Sequence, residues 1–237
     1  MPDVVQLWVY LSATPLFGLT ATVLVYTAAA LAYARLGQPP WANPVLGSVI
    51  VLAALLAASG TPYARYFSGA QFIHFLLGPA VVALAWPLWQ RRQVLRRQAP
   101  ALVLAALAGG AAAAGSAVAI GWAFGLPLEV LASLAPKSAT APVAMGITER
   151  IGGVPALAAV FAVLTGLIGA ITGRMLFNGL GITDWRVRGF ALGTASHGIG
   201  AARALQVHPE AGAFAGLAFA LQAVLAALLL PLVWRVV

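Results

Sequence analysis

Residues 134–155 read Leu-Ala-Pro-Lys-Ser-Ala-Thr-Ala-Pro-Val-Ala-Met-Gly-Ile-Thr-Glu-Arg-Ile-Gly-Gly-Val-Pro. Apolar sequence flanks this stretch on both sides, yet it carries Pro136, Pro142, three hydroxyl residues, a Glu-Arg pair and Lys137, the one lysine in the chain. Pro136 and Pro142 each remove a backbone donor and clash with the preceding turn, so a helix is predicted to break or kink here. At membrane depth, non-helical backbone survives only where protein buries it or water lines it. A broken helix that carries a cation is therefore a candidate anion site.

The rest of the chain supplies the membrane. Of 237 residues, 62% are hydrophobic and only 8% are charged, against about 25% charged in a soluble domain. Mean hydropathy is +0.96, and the apolar runs repeat at the roughly 17–25 residues that a helix needs to cross a bilayer. The composition predicts an all-α, polytopic membrane protein in a single integral membrane domain, residues 1–237. Net charge is +8, from thirteen basic and five acidic residues. The arginines sit mostly in short breaks between apolar runs, where they set orientation. No polar segment is long enough to offer the basic face and stacking aromatics of nucleic-acid binding. With no cysteine in the chain, disulfides, thiol nucleophiles and Cys-ligated metal are excluded. The N-terminal Met-Pro-Asp-Val-Val lacks the basic segment of a secretory signal, so the first apolar run is expected to remain as a span.

About eight hydrophobic elements follow in order, near 8–33, Pro44–Ser59, 70–89, 102–124, 128–147, 154–176, 189–207 and 211–234. Residues 61–68 are expected to form an interfacial connector. Arg91, Arg92, Arg96 and Arg97 form the strongest basic cluster, expected on the cytoplasmic side. With eight full spans, the connector over 174–188, with its three arginines, then falls outside, against the positive-inside tendency. Re-entrant hairpins in place of full spans would change that parity. Three interruptions recur about sixty residues apart, at Gly78-Pro79, Pro136-Lys137 and Ser196-His197-Gly198. Carriers often build a midplane site from broken helices in related halves.

At the second interruption, Lys137 lies near the middle of its run, where a charge costs about 2.5–3.5 kcal/mol on insertion scales. Ser138 and Thr140 add hydroxyl donors. If Pro136 and Pro142 open half-helices, free N–H groups and the positive end of the dipole point into the same space. Such a set suits a carboxylate. At the third, His197 lies among Thr194, Ser196, Gly198 and Gly200, where an imidazole can donate to an anion or carry a proton. Arg203 follows, placed either to neutralise an acid or to snorkel, and His74 is a weaker candidate before Gly78. Glu149-Arg150 reads as a structural pair capping the broken helix. Three dispersed histidines form no metal set, no cofactor motif is present, and no nucleophile elbow, P-loop or Rossmann pattern suggests an enzyme.

The same residues carry a family resemblance. Pro-Lys-Ser-Ala-Thr-Ala-Pro-Val-Ala-Met at 136–145, Ile-Gly-Gly at 151–153 and Leu-Gly-Thr-Ala-Ser-His-Gly-Ile-Gly-Ala-Ala-Arg-Ala at 192–204 resemble the LrgB/CidB family, as does Leu-Leu-Gly-Pro-Ala-Val-Val-Ala-Leu-Ala-Trp-Pro-Leu at 76–88. Ala139 stands where that family usually has a β-branched residue, and Ala201 where threonine is usual. The resemblance implies an antiholin-like, multi-pass protein of the inner (cytoplasmic) membrane, linked to murein hydrolase export and cell lysis beside a small holin-like partner. It also implies kinship with plastid glycolate and glycerate translocators and with bacterial pyruvate uptake.

Residues and resemblance together predict a carrier of small monocarboxylates or 2-hydroxy acids working by alternating access. Lys137, Ser138 and Thr140 form one wall and Thr194, Ser196 and His197 the other. Gly78, Pro79, Pro136, Pro142, Gly198 and Arg203 serve as support. The alternative is a regulator that acts through a holin-like partner. Small residues four apart, such as Gly169 and Gly173, permit a homodimer.

Overall fold

The computed structural model describes residues 15–76, 79, 85–90 and 92–236, and every regular element among them is helical. The chain divides into two compact units, Met1–Ala80 and Val81–Val237.

In the first unit, α1 (Pro15–Arg35), α2 (Pro44–Ser59) and α3 (Tyr63–Phe75) follow one another. Proline is tolerated at a helix start, where its missing N–H is unneeded, and α1 opens on Pro15. Asn43 caps α2 by accepting the Val45 N–H at 2.9 Å. The expected connector over 61–68 is instead mostly the first turns of α3. Tyr66 and Ala70, four apart on one helical face, pack on Gly18 of α1, and the Thr22 and Tyr66 hydroxyls bond at 2.7 Å. That contact holds the segment helical. Of the first interruption, Gly78 lies outside the described residues and Pro79 is exposed.

The second unit contains α4 (Ala85–Gln90), α5 (Arg92–Ala123), α6 (Leu128–Leu134), α7 (Ala141–Ile151), α8 (Pro155–Gly179), α9 (Trp185–Val207) and α10 (Pro209–Val233). α5 starts well before the expected Leu102 and runs through Arg96, Arg97 and Pro100. Hydropathy marks where hydrocarbon begins, whereas arginine and glutamine sustain a helix beyond it. α5, α8 and α10, with α1 of the first unit, are long and apolar enough to cross a membrane.

The fifth and seventh hydrophobic elements fold back on themselves. Ser133, at the end of α6, accepts the Val154 N–H at 2.8 Å. A continuous helix would hold those residues about 30 Å apart. α9 is interrupted at Ser196 (φ −124°, ψ 17°) and His197 (φ 43°, ψ −140°). Beyond that point a β-carbon at Gly200 would lie 2.8 Å from the Leu192 carbonyl oxygen, although a straight helix would separate the two residues by a rise of about 12 Å. Residues 185–195 and 198–207 are thus two arms of a hairpin. Each arm is about 16 Å long, roughly half of a 30 Å hydrocarbon core. The expected span over 189–207 is corrected to a re-entrant hairpin, because the backbone reverses at Ser196-His197.

Packing fixes the direction of each element. Gly189 and Gly193 lie against the backbone of Ala211 and Ala215, so the first arm of α9 and α10 run parallel. Gly173, Gly169 and Gly166 meet Leu192, Ser196 and His197 in turn, so α8 runs opposite to that arm. Leu102 and Ala106 cluster with Leu217 and Leu221, and Gly110 meets Gln222, so α5 runs with α10. Gly121 lies on Leu131 and Leu134, while Ala135, Pro136, Ser138 and Ala139 line a cavity with Ala106, Gly110 and Gly115. The α6–α7 hairpin therefore enters from the end of α5 and the α9 hairpin from its start. Each hairpin precedes a helix of 25 residues, α8 or α10, and these two are antiparallel. The arrangement is an inverted repeat of hairpin and span.

This topology removes the charge conflict of eight full spans. Arg92, Arg96 and Arg97 at the start of α5, Arg174 near the end of α8, and Arg186 and Arg188 at the start of α9 share one end of the unit. There Trp185 stacks on His208 at 4.8 Å, and Arg186 bonds Asp184 at 2.7 Å, whose carboxyl it holds down to about 2 by that hydrogen bond. Arg150, at the end of α7, and Arg235 belong to the opposite end. Trp86 and Trp89 are exposed, and Arg92 lies 4.7 Å from the Trp89 ring, as expected of an interfacial belt. Glu149 and Arg150 form no ion pair with each other, although Arg150 does lie in the last turn of α7.

Single cysteines in this cysteine-free chain test the hairpins. Leu126→Cys and Glu149→Cys should react with a membrane-impermeant maleimide from one face of the bilayer, and Leu180→Cys and Glu210→Cys from the other. Labelling of positions 126 and 149 from opposite faces would mean that α6 and α7 form a full crossing.

Candidate functional site

The tip of the first hairpin is residues 135–140. Two short turns form it, Lys137 N–H to Leu134 O at 3.1 Å and Ala139 N–H to Pro136 O at 2.9 Å. Pro136 is buried within the first turn and opens no helix, whereas Pro142 lies in the first turn of α7. Thr140 occupies the N-cap position of α7 in extended conformation, yet its side chain caps nothing. Its Oγ1 and the Oγ of Ser138 are buried without a hydrogen-bond partner. Lys137 between them is half-buried, and no carboxylate among the described residues pairs with it. A buried polar group left unmet costs about 1–3 kcal/mol, so a cluster of them calls for water or a ligand.

The tip of the second hairpin is pinned to α8. His197 Nε2 lies 2.7 Å from the Ala162 carbonyl oxygen. A carbonyl only accepts, so Nε2 carries the proton in this bond. The approach depends on glycine at 166, where a β-carbon would lie 2.8 Å from His197 Cε1 and 2.9 Å from Nε2. A non-glycine residue at φ 43°, ψ −140° stores about 1–3 kcal/mol of strain, which the carbonyl bond and burial at 4% exposure hold in place. Ser196 lies in the space left by Gly169.

These placements group the expected site residues differently from two facing walls. Pro136 and Ser138 line a cavity of about 290 Å³ with α5 and α10, while Lys137 and Thr140 are not part of its lining. Ser196 and His197 face α8. Thr194 donates to the Phe190 carbonyl at 2.9 Å and rests its methyl on Gly109. It lines a separate cavity of about 620 Å³ that holds Gln98, Asp184 and Arg186 of the basic end. Gly198 follows the kink with open space beside it. Arg203 bonds Gln206 and lines a small cavity together with Arg174 and Arg188. The tips share two neighbours. Ala139 of the first belongs to the same buried cluster as Ala162, whose carbonyl holds the second, and the adjacent Gly109 and Gly110 of α5 line the two different cavities. Gly169 and Gly173 turn their open faces to α9 within the chain.

Two buried polar residues escaped the sequence reading as site candidates. Thr148 is fully buried with Oγ1 unmet, and Gln222 is buried with Oε1 unmet. Gln222 had a signal, since it is the one polar side chain within residues 211–233.

The LrgB-like family model matches residues 22–236. The chain belongs to this family. Among relatives of the LrgB-family chain, the Bacillus subtilis protein YxaC is 35% identical over 212 residues, covering 90% of this chain and 92% of the relative. YwbG of the same organism is 35% identical over 204 residues, 86% and 90% of the two chains. The Staphylococcus aureus (strain Mu50) holin-like protein CidB is 31% identical over 192 residues, 81% and 84%. No solved structure matches the chain.

Gly166→Ala should drive the imidazole off Ala162. Overpacking a close contact costs about 1–3 kcal/mol, so the detergent-solubilised variant should unfold several degrees lower. An unchanged midpoint would show that this contact does not hold the tip.

Proposed function

We propose that this LrgB-family protein carries small monocarboxylates or 2-hydroxy acids across the cytoplasmic membrane by alternating access. One observation carries the reading: an ammonium and two hydroxyls with no partner among the described residues gather at a helix break half-way through the unit. Lys137 neutralises the carboxylate, Ser138 and Thr140 donate to it, and the first-turn amides of α7 add the positive end of a helix dipole. An anion there offsets the insertion penalty of the lysine, about 2.5–3.5 kcal/mol. His197 serves as a positioning residue that fixes the second tip through Ala162.

Inverted repeats support exchange between two states, because each half can adopt the other's conformation. The cavity with Arg186 and the cavity with Ser138, lined by adjacent glycines of α5, suit access from either side. By the positive-inside tendency, the arginine-rich end faces the cytoplasm. The name of the CidB relatives favours a second reading, in which the chain regulates lysis beside a small holin-like membrane protein.

Purified chain in proteoliposomes should take up labelled C2–C4 hydroxy or keto acids, and Lys137→Ala should abolish uptake with folding preserved. Uptake that survives the substitution removes Lys137 from the site. Flux that appears only with a co-reconstituted small membrane partner supports the second reading.

A further inference from the structure

The cavity between α5, the first hairpin tip and α10 measures about 290 Å³, near the lower end of ligand pockets at about 300–1,000 Å³. That size suits a molecule of a few carbons. Its lining is hydrocarbon apart from two polar side chains, Ser138 and Gln222. They are 6% and 7% exposed. Ser138 Oγ and Gln222 Oε1 both lack a hydrogen-bond partner. Gln222 reaches its position because residue 110 is glycine. A β-carbon there would overlap the carboxamide nitrogen and lie 2.9 Å from its oxygen. A glutamine at this depth is unfavourable in itself, and no hydrogen bond to its oxygen among the described residues offsets it.

We infer that Gln222, together with Ser138, recognises the hydroxyl or keto group next to the carboxylate of the carried acid. This rests on the carrier reading and assigns its selectivity. The lining holds no charge, so the carboxylate stays with Lys137, one residue from Ser138, while the carbon chain enters the cavity. A carboxamide and a hydroxyl both donate and accept, so the pair satisfies either a hydroxyl or a keto oxygen. An unsubstituted acid leaves both unmet, and sites built around a buried hydrogen bond reject analogues that lack it. Gly110 holds Gln222 at the right depth.

Gln222→Met keeps length and removes the amide. Because it deletes an unmet polar group from an apolar span, its unfolding midpoint should hold or rise, whereas a structural glutamine would lower it. In proteoliposomes the wild type should favour lactate over propionate. Gln222→Met should weaken lactate competition about tenfold, equivalent to about 1.4 kcal/mol, and leave propionate unchanged. Gly110→Ala, which displaces the carboxamide, should move the ratio the same way and serves if the first variant fails to fold. An unchanged lactate-to-propionate ratio in the variants overturns this assignment and leaves the carrier reading standing. Wild-type protein that takes up or binds neither acid overturns both.

Discussion

Hydrocarbon cannot satisfy a backbone N–H or C=O, and this constraint shapes the whole second unit. Two helices stop half-way across and turn back, so their tips must be enclosed by protein. The enclosure is built from small residues. Gly166 and Gly169 of α8 admit His197 and Ser196, Gly109 admits Thr194, and Ala162 shares a buried cluster with Ala139 of one tip and holds the other with its carbonyl. Larger residues on these faces would push the tips apart and leave their backbone groups unmet. The alanine and glycine content of α5, α8 and α10 is thus a packing requirement as well as a composition.

Within that enclosure the polar groups divide into two kinds. Thr194, Ser133 and His197 bond to the chain itself and hold the hairpins in shape. Ser138, Thr140 and Gln222 retain unmet atoms, and Lys137 stands beside them without an acidic partner. Structural polar groups in a membrane interior are normally satisfied, because each failure costs about 1–3 kcal/mol. Among the described residues, the unmet set is confined to the first tip, the cavity beside it and Thr148 of the following helix. On this asymmetry the proposed carrier reading assigns binding to the first tip and positioning to the second, although both hairpins share one design.

The hairpins also explain the charges. Because α6–α7 returns to the end it entered from, α8 comes back to the start of α5, and the connector before α9 joins Arg92, Arg96 and Arg97. A chain of plain spans would scatter these arginines over both faces. The inverted repeat and the one-sided arginines are therefore two consequences of the same backbone reversals.

The amino-acid sequence by itself determined the helical membrane class, the limits of α2, the break around Lys137 and the break at His197. These follow from hydropathy, from proline's missing donor and from polar residues inside apolar runs, all local properties. Family membership was legible too, in the motifs at 136–145 and 192–204. Only the tertiary structure decided that the broken elements reverse, because a reversal depends on whether neighbours can close around the tip. It also decided that the helix through 63–75 begins early, since that depends on Gly18 of another helix. The same holds for Gln222. Its residue type was visible, but its placement depends on Gly110 of a distant helix and on a cavity wall made by the first tip. Contacts between residues far apart in the chain leave no local pattern in it.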